Sequence, residues 1–275
     1  MRNIFGLIYG MVYGVALVVP GLSGGTFLVI FGCYDIICEA FSLNIKAIKK
    51  NIVFLIFFGI GAVSGLIGFA HAIVYLLSAF GVQTNLFFMG LILGGIPMIA
   101  KLATQDEKVK PICILPFLIG LAIVVSLFLM ESMGMFGTDL SQDANFIFAI
   151  RIIVYSFFAA LAMIMPGISG AFVLVAFGVY DLFMEALKGF EISVLVPAVI
   201  GVLLGIVVGA KLVLLVINKF KLMVYSAIMG MVVGSIAPLF PSGVGFNLAT
   251  FVGIFCLAAG AWITVVLGKR EPVEK

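Results

Sequence analysis

The chain has 275 residues, of which 64% are hydrophobic and only 10% are charged, and its formal net charge is +3. A soluble domain typically has about a quarter of its residues charged, so this composition excludes a soluble enzyme, a nucleic-acid-binding protein and a disordered scaffold. The small net charge gives no sign of a polyanionic partner. We therefore predict an all-α polytopic membrane protein embedded in a lipid bilayer.

The first predicted element is a helical hairpin at residues 4–41. Its middle contains the sequence PGLSGG, and Pro and Gly break helices and leave backbone groups that lipid cannot satisfy. Such backbone persists at membrane depth only where it is buried in protein or lines a wet cavity, so we predict a re-entrant hairpin with this turn at its tip. Three apolar runs of spanning length follow, at residues 52–80, 86–103 and 112–132.

The second half of the chain repeats this order. Residues 166–186 share 12 identities over 21 aligned positions with residues 20–40, including Pro, Gly, Ser, Tyr, Asp and Glu in the same order. We therefore predict a tandem duplication within a single membrane domain, with repeats at residues 1–135 and 145–270. The second repeat comprises a hairpin at residues 147–187 and spanning runs at 192–217, 223–240 and 248–268.

Basic residues indicate how the two halves face the membrane, because Lys and Arg accumulate on the cytoplasmic side. With the N-terminus inside, nearly all Lys and Arg fall on that side, whereas the loop at residues 131–146 carries acidic residues and no Lys or Arg. Each half then crosses a net odd number of times, which predicts inverted-topology repeats and two cytoplasmic termini. Inverted repeats are typical of alternating-access carriers, whose site lies near the midplane where broken helices meet.

The two Pro-Gly-x-Ser-Gly tips are predicted to meet in mid-membrane and to bind an anion, phosphate above all. A helix that begins after each Ser directs free backbone N–H groups and its positive dipole end at the tip. The alternative is that Pro-Gly only turns the chain while Gly lets helices pack closely. Ala171 and Phe172 replace Gly25 and Thr26 in the second copy, which favours the first tip for direct contact. The candidate phosphate-binding residues at the tips are Ser23, Gly24, Gly25, Thr26, Ser169 and Gly170.

Three cations within the apolar segments are further candidates for the phosphate site, because ionisable groups inside a membrane are costly and mark function. His71 is the only histidine and aligns at an offset of 140 residues with Lys211, so the repeats place a potential cation at the same position. Arg151 lies about one turn inside its hairpin helix. The alternative is that Lys211 and Arg151 extend to the two interfaces and that His71 makes a helix–helix hydrogen bond.

A pair of carboxylates recurs in both repeats, each pair after a recurring tyrosine (Tyr34 and Tyr180) and spaced four residues apart on one helix face. The aspartates are predicted to cap their helices near the membrane surface. The alternative is that one carboxylate carries the proton or sodium ion that drives transport. The pairs are Asp35 with Glu39 and Asp181 with Glu185.

The doubled motif, PGLSGGT and PGISGAF each followed by FGxYD, resembles the DUF368 family of bacterial membrane proteins over nearly the whole chain. Members of that family are polyprenyl-phosphate transporters. They return undecaprenyl phosphate from the outer to the inner leaflet of the cytoplasmic membrane, for reuse in cell-wall and surface-polymer synthesis. The resemblance alone implies this substrate and location; the residues themselves indicate only an anion at mid-membrane. No cofactor is predicted.

Two other functions stay open at this stage. Residues 21–24 (GLSG) match the GxSG string of rhomboid proteases and His71 is a possible base, so the first alternative is an intramembrane serine hydrolase. The second repeat has the same string with Lys211 in place of the histidine, a symmetry that transport needs and catalysis does not. The second alternative is a carrier for a small anion, which needs no opening toward lipid. The four cysteines lack paired spacing and are predicted to be buried free thiols, with no metal site.

Overall fold

A computed structural model describes residues 2–18, 23–104, 111–133 and 146–268, and every regular element within these ranges is helical. The predicted all-α architecture is confirmed. The helices of the first half are α1 (Arg2–Val18), α2 (Gly24–Ile30), α3 (Tyr34–Phe41), α4 (Ile45–Ala79), α5 (Gly81–Thr104) and α6 (Ile114–Ser132). Those of the second half are α7 (Phe146–Ile164), α8 (Gly170–Ala176), α9 (Tyr180–Gly189), α10 (Ile192–Gly234) and α11 (Leu248–Gly268).

Six stretches of the described chain are long and apolar enough to cross a membrane. The short helices α8 and α9 form one further apolar pair, in which the chain bends by 111°. The chain is therefore a multi-pass membrane protein. The six stretches are Ile45–Phe69, Gly81–Thr104, Pro111–Met130, Phe146–Ile164, Ile192–Leu239 and Leu248–Leu267.

Two helix boundaries differ from the runs that hydrophobicity predicts. Helix α4 begins at Ile45 because the Asn44 side chain accepts a hydrogen bond from the Ala47 amide at 3.3 Å, which caps the helix ahead of its apolar part. Helix α10 covers the two runs predicted at 192–217 and 223–240 in two parts that join without a loop. Phe220, with φ −138° and ψ 49°, is non-helical and divides α10 between those runs.

The first hairpin, α1 to α3, returns to the end of the bundle where it begins. The contacts between α1 and α4 show this, because Gly61 packs on the Leu7 carbonyl and Gly65 on the Met11 carbonyl. The residue numbers rise together, so α1 and α4 are parallel neighbours. The chain between two parallel neighbours must run back along them, and α2 and α3 make this return.

The second hairpin, α7 to α9, returns in the same way. Gly201 packs on the Ile153 carbonyl and Gly205 on the Phe157 carbonyl, so α7 and α10 are also parallel neighbours. Helix α8 has only seven residues, about 10 Å at 1.5 Å per residue, which is too short to cross a bilayer core. Helix α7, at 19 residues, is long enough to cross the bilayer core. The first helix of this hairpin is therefore longer than a short re-entrant segment requires.

In each hairpin, a pair of aromatic rings packs the first helix against the end of the short helix that follows the tip. Tyr9 stacks on Phe31 with ring centroids 4.6 Å apart, and Tyr155 lies 4.8 Å from Phe177. Both members of the second pair lie 146 residues after those of the first, the same offset that relates the two motifs. Stacked rings of this kind contribute about 0.5–1.5 kcal/mol beyond their burial.

The remaining helices of each half pack against helices of the other half. Gly90 of α5 packs on the Leu257 carbonyl of α11, and Gly230 of α10 packs on the Phe117 carbonyl of α6. An offset of 140 residues converts the first contact into the second, so each half supplies one helix to the other. Such reciprocity is what a pair of related repeats produces; their boundaries at 1–135 and 145–270 and their inversion stay predictions.

Candidate functional site

The tips of the two hairpins touch each other. The Ser23 hydroxyl, at the start of α2, donates to the Met165 carbonyl at 3.4 Å, and the Gly167 amide donates to the Thr26 hydroxyl at 3.0 Å. A Cβ on Gly25 would lie 3.1 Å from the carbonyl oxygen of Ile164. Two segments about 140 residues apart therefore form one junction. Residues 20–22 of the first motif lie outside the described residues.

The two tips differ in accessibility. Ser23 is 3% exposed and Thr26 is 0% exposed, and the glycines between them are also buried. Ser169 and Gly170 are half-buried. The Thr26 hydroxyl accepts the Gly167 amide inside this contact, so burial favours the second tip, rather than the predicted first tip, as the accessible one.

The two motif serines occupy equivalent backbone positions. Ser23 and Ser169 both have extended backbone angles at the N-cap of their short helix, and neither makes a side-chain capping hydrogen bond. The Ser23 hydroxyl is bonded to a carbonyl rather than to His71, so no Ser–His pair of the kind a hydrolase needs forms here. Within the described ranges, the Ser169 hydroxyl has no hydrogen-bond partner.

His71 and Lys211 lie level with the tips. The register that sets Gly61 beside Leu7 places His71 beside Leu17, close to the end of α1. The register of α10 on α7 likewise places Lys211 near the end of α7. The side chains of both residues are exposed on the outside of the bundle.

Arg151 is not brought to the tips. It is exposed near the start of α7, 13 residues before the last residue of that helix, which corresponds to about 20 Å. An arginine side chain cannot bridge this distance. The structure therefore groups the tips with His71 and Lys211 and leaves Arg151 at the opposite end of its helix.

The recurring aspartates do not cap their helices, which corrects the prediction. The N-cap of α3 is Cys33 and that of α9 is Val179, and Asp35 and Asp181 are each the second residue of the helix. There a carboxylate still interacts favourably with the helix dipole. Asp35 accepts a hydrogen bond from the Tyr225 hydroxyl of α10 at 3.1 Å.

The other members of the carboxylate pairs stand apart from the tips. Glu39 is half-buried on α3, and Glu185 is exposed on α9 together with Asp181. The recurring tyrosines also differ, because the Tyr34 hydroxyl donates to the Ile164 carbonyl at 3.0 Å whereas Tyr180 is 36% exposed. Only the first repeat therefore ties its bend to the junction.

A small crevice borders this junction between the first hairpin and α7. It has a volume of about 10 Å³, which is about the space of one water molecule. Its lining is largely apolar and includes Tyr13, Tyr34, Cys38, Met163 and Ile164. A phosphate headgroup does not fit into this crevice unless the hairpins move.

Comparison with known proteins agrees with the motif. The family model VCA0040-like, described as undecaprenyl phosphate translocase-like, matches residues 2–111 and 82–250. A polyprenyl-phosphate transporter of Staphylococcus aureus (strain NCTC 8325 / PS 47) is 29% identical over 272 residues, covering 96% of this chain and 95% of that protein. A polyprenyl-phosphate transporter of Vibrio cholerae serotype O1 is 25% identical over 246 residues, covering 84% of this chain and 76% of that protein. No solved structure matches the chain significantly.

Proposed function

Since the chain belongs to the undecaprenyl phosphate translocase-like family, we propose that it is a carrier for undecaprenyl phosphate. In this proposal the lipid moves from the outer to the inner leaflet of the bacterial cytoplasmic membrane, where it is reused as a lipid carrier. Both termini lie in the cytoplasm. Transport proceeds by alternating access around a phosphate site in mid-membrane, and the protein is not an enzyme.

The contact between the two tips is the observation that supports this proposal most directly. Broken backbone from two hairpins meets at Ser23–Met165 and Thr26–Gly167. In apolar surroundings such backbone is tolerated where it is buried in protein or lines a polar site. A carrier needs one site that both hairpins share, so that moving either hairpin opens the site to one leaflet.

The phosphate ligands that we propose come from the accessible tip and the nearby cations. The Ser169 hydroxyl and the Gly170 amide are donors at the half-buried second tip. Lys211 and His71, level with the tips, compensate the charge of a phosphate in a low dielectric. Ser23, Gly24, Gly25 and Thr26 hold the junction and reach the headgroup once it opens. Arg151, about 20 Å away along α7, attracts the headgroup at the membrane surface before it reaches the tips.

The polyprenyl chain stays in lipid while the headgroup crosses. None of the seven residues of α8 is buried, so the second hairpin presents an exposed side from which a lipid headgroup can approach laterally. A carrier for a small anion has no need of such an opening. For the driving ion, a proton or sodium, we propose the carboxylates Asp35 and Glu39 and their counterparts Asp181 and Glu185.

The proposal predicts that the purified protein moves a phosphate-bearing polyprenyl lipid between the leaflets of liposomes. A membrane-impermeant phosphatase added outside removes the phosphate only from outer-leaflet lipid, so transport is measured as the fraction of lipid that becomes cleavable. We expect nearly complete cleavage with the protein and about half without it. Cleavage that stays at half with folded, membrane-inserted protein would overturn the proposed substrate.

The same assay tests the cations. We expect Lys211→Gln to slow transport by about tenfold, because a charge-assisted hydrogen bond to phosphate contributes about 1.5–3 kcal/mol. Lys101→Gln, at the exposed end of α5, is the matched control and keeps the wild-type rate. Equal rates for the two variants would mean that Lys211 only extends to the interface.

A further inference from the structure

The two hairpins have the same sequence pattern but are packed differently. All seven residues of α2 are buried, whereas none of the seven residues of the equivalent helix α8 is. The helices around them keep the repeat relation, since the Gly90–Leu257 and Gly230–Phe117 contacts are equivalent. The first hairpin is therefore buried in the bundle, whereas the second packs on its surface through residues such as Ala186 and leaves α8 only partly covered.

Three contacts hold the first hairpin in its docked position. Tyr34 donates to the Ile164 carbonyl at 3.0 Å, which ties the bend of the first hairpin to the second tip. The Asp35 carboxylate accepts a hydrogen bond from the Tyr225 hydroxyl, which ties α3 to the part of α10 that follows Phe220. Ile30 packs where a Cβ on Gly95 would lie, which seats α2 on α5.

The second repeat contains the residues for the two equivalent hydrogen bonds but does not make them. The counterparts of Tyr34 and Asp35 are Tyr180 and Asp181, which are exposed and have no hydrogen-bond partner in the described part of the chain. The counterpart of Tyr225, 140 residues earlier, is Asn85 of α5. Its side-chain amide is a donor, so it can bond a carboxylate as the tyrosine hydroxyl does.

We propose that these residues form two alternative locks, one for each end of the carrier. Tyr34, Asp35 and Tyr225 close one end in the conformation described here. Tyr180, Asp181 and Asn85 close the other end in the opposite conformation, in which α8 and α9 dock and α2 and α3 undock. This inference rests on the proposed function, because only a protein that alternates between two states needs both sets.

The two locks are proposed to form one at a time, because of the limited space at the junction. With the first hairpin docked, the crevice beside the tips has a volume of about 10 Å³, which is too small for a phosphate headgroup. The second hairpin, where no residue of α8 is buried, is the side from which a headgroup approaches in this proposal. If both locks stayed closed, the site would be reached from neither leaflet. If both stayed open, the site would be open to both leaflets at once. Transport therefore requires that one lock forms as the other breaks.

Cross-linking measures the two states directly. In a transporting variant whose four cysteines are replaced by Ser, one cysteine pair is introduced at positions 35 and 225 and another, in a separate protein, at positions 85 and 181. A short bifunctional thiol reagent is used, because the tyrosine length places the two Cα atoms too far apart for a disulfide. We expect both pairs to cross-link in membranes, and each link to stop transport.

Single-cysteine variants at the same four positions are the controls, and treatment with the reagent should leave each of them at its own untreated transport rate. Cross-linking of the 35/225 pair without any cross-linking of the 85/181 pair would overturn the proposal. The yield of each cross-link does not depend on the substrate. If both pairs cross-link but no polyprenyl phosphate moves, the proposed substrate is wrong and the locks stand.

Removing one hydroxyl shifts the balance between the states. Tyr225→Phe keeps the ring and loses the hydrogen bond to Asp35. In the protein with cysteines at positions 85 and 181, we expect this substitution to raise the ratio of cross-linked product to product labelled at one cysteine by about tenfold. The reason is that the lost hydrogen bond is made to a charged group. Tyr75→Phe, on an exposed residue of α4, is the matched control and leaves the ratio unchanged. An unchanged ratio in Tyr225→Phe would mean that this hydrogen bond serves only folding.

Discussion

Gly61→Leu should prevent the first hairpin from packing against α4. A Cβ at this position runs into the Leu7 carbonyl of α1, and both helices are held close by small residues along this contact. The side chain cannot be accommodated unless the helices separate. Overpacking costs about 1–3 kcal/mol for extra methylenes, so we expect a loss of about 3 kcal/mol and a melting temperature in detergent lowered by roughly 10 °C. Gly61→Ala, a smaller intrusion, should give an intermediate value if the leucine variant does not fold.

Gly59→Leu is the control on the same helix. A Cβ on Gly59 meets no atom within 4 Å, and the residue is exposed on the bundle surface. Leucine favours a helix over glycine, so this variant should melt at or slightly above the wild-type temperature. Equal losses at the two positions would show that the parallel contact between α1 and α4 is wrong, and with it the return of the first hairpin.

The helices were predictable because one physical constraint dominates the sequence. Lipid leaves no partner for exposed backbone, so long apolar runs must be helices, and α11 occupies Leu248–Gly268 where the run at 248–268 lies. Boundaries set by polar contacts are less visible to hydrophobicity. The cap at Asn44 extends α4 into a Lys-rich segment, and Phe220 divides α10 without any proline or glycine at the break.

The meeting of the tips also follows from the sequence, since two copies of one broken motif suggest a shared site. Its bonding partners do not follow. Asp35 and Tyr225 are 190 residues apart, and no motif in the second half marks the tyrosine. The recurrence of Tyr34 as Tyr180 was visible, but which copy is bonded is a property of one conformation. Two near-identical motifs cannot reveal which of them is docked.

Thr26→Val should weaken the junction between the tips. The valine has nearly the same shape, but it removes the hydroxyl that accepts the hydrogen bond of the Gly167 amide, at a site where Thr26 is 0% exposed. An unsatisfied buried donor costs about 1–3 kcal/mol. We expect a melting temperature lowered by roughly 5 °C and transport slowed by about tenfold or more, because both tips must keep their geometry to share a headgroup.

Thr264→Val is the matched control for this substitution. Thr264 is equally buried, at 1% exposed, but its hydroxyl donates to the Gly260 carbonyl within α11, so its loss leaves no amide unsatisfied. This variant should transport at the wild-type rate, and its free energy of unfolding should lie within about 0.5 kcal/mol of the wild-type value. If the two variants behave alike, the Thr26–Gly167 bond is incidental and the junction is held by packing alone. A large effect of Thr26→Val on transport with an unchanged melting temperature would instead place the hydroxyl on the headgroup, because a contact made only with substrate does not stabilise the empty protein.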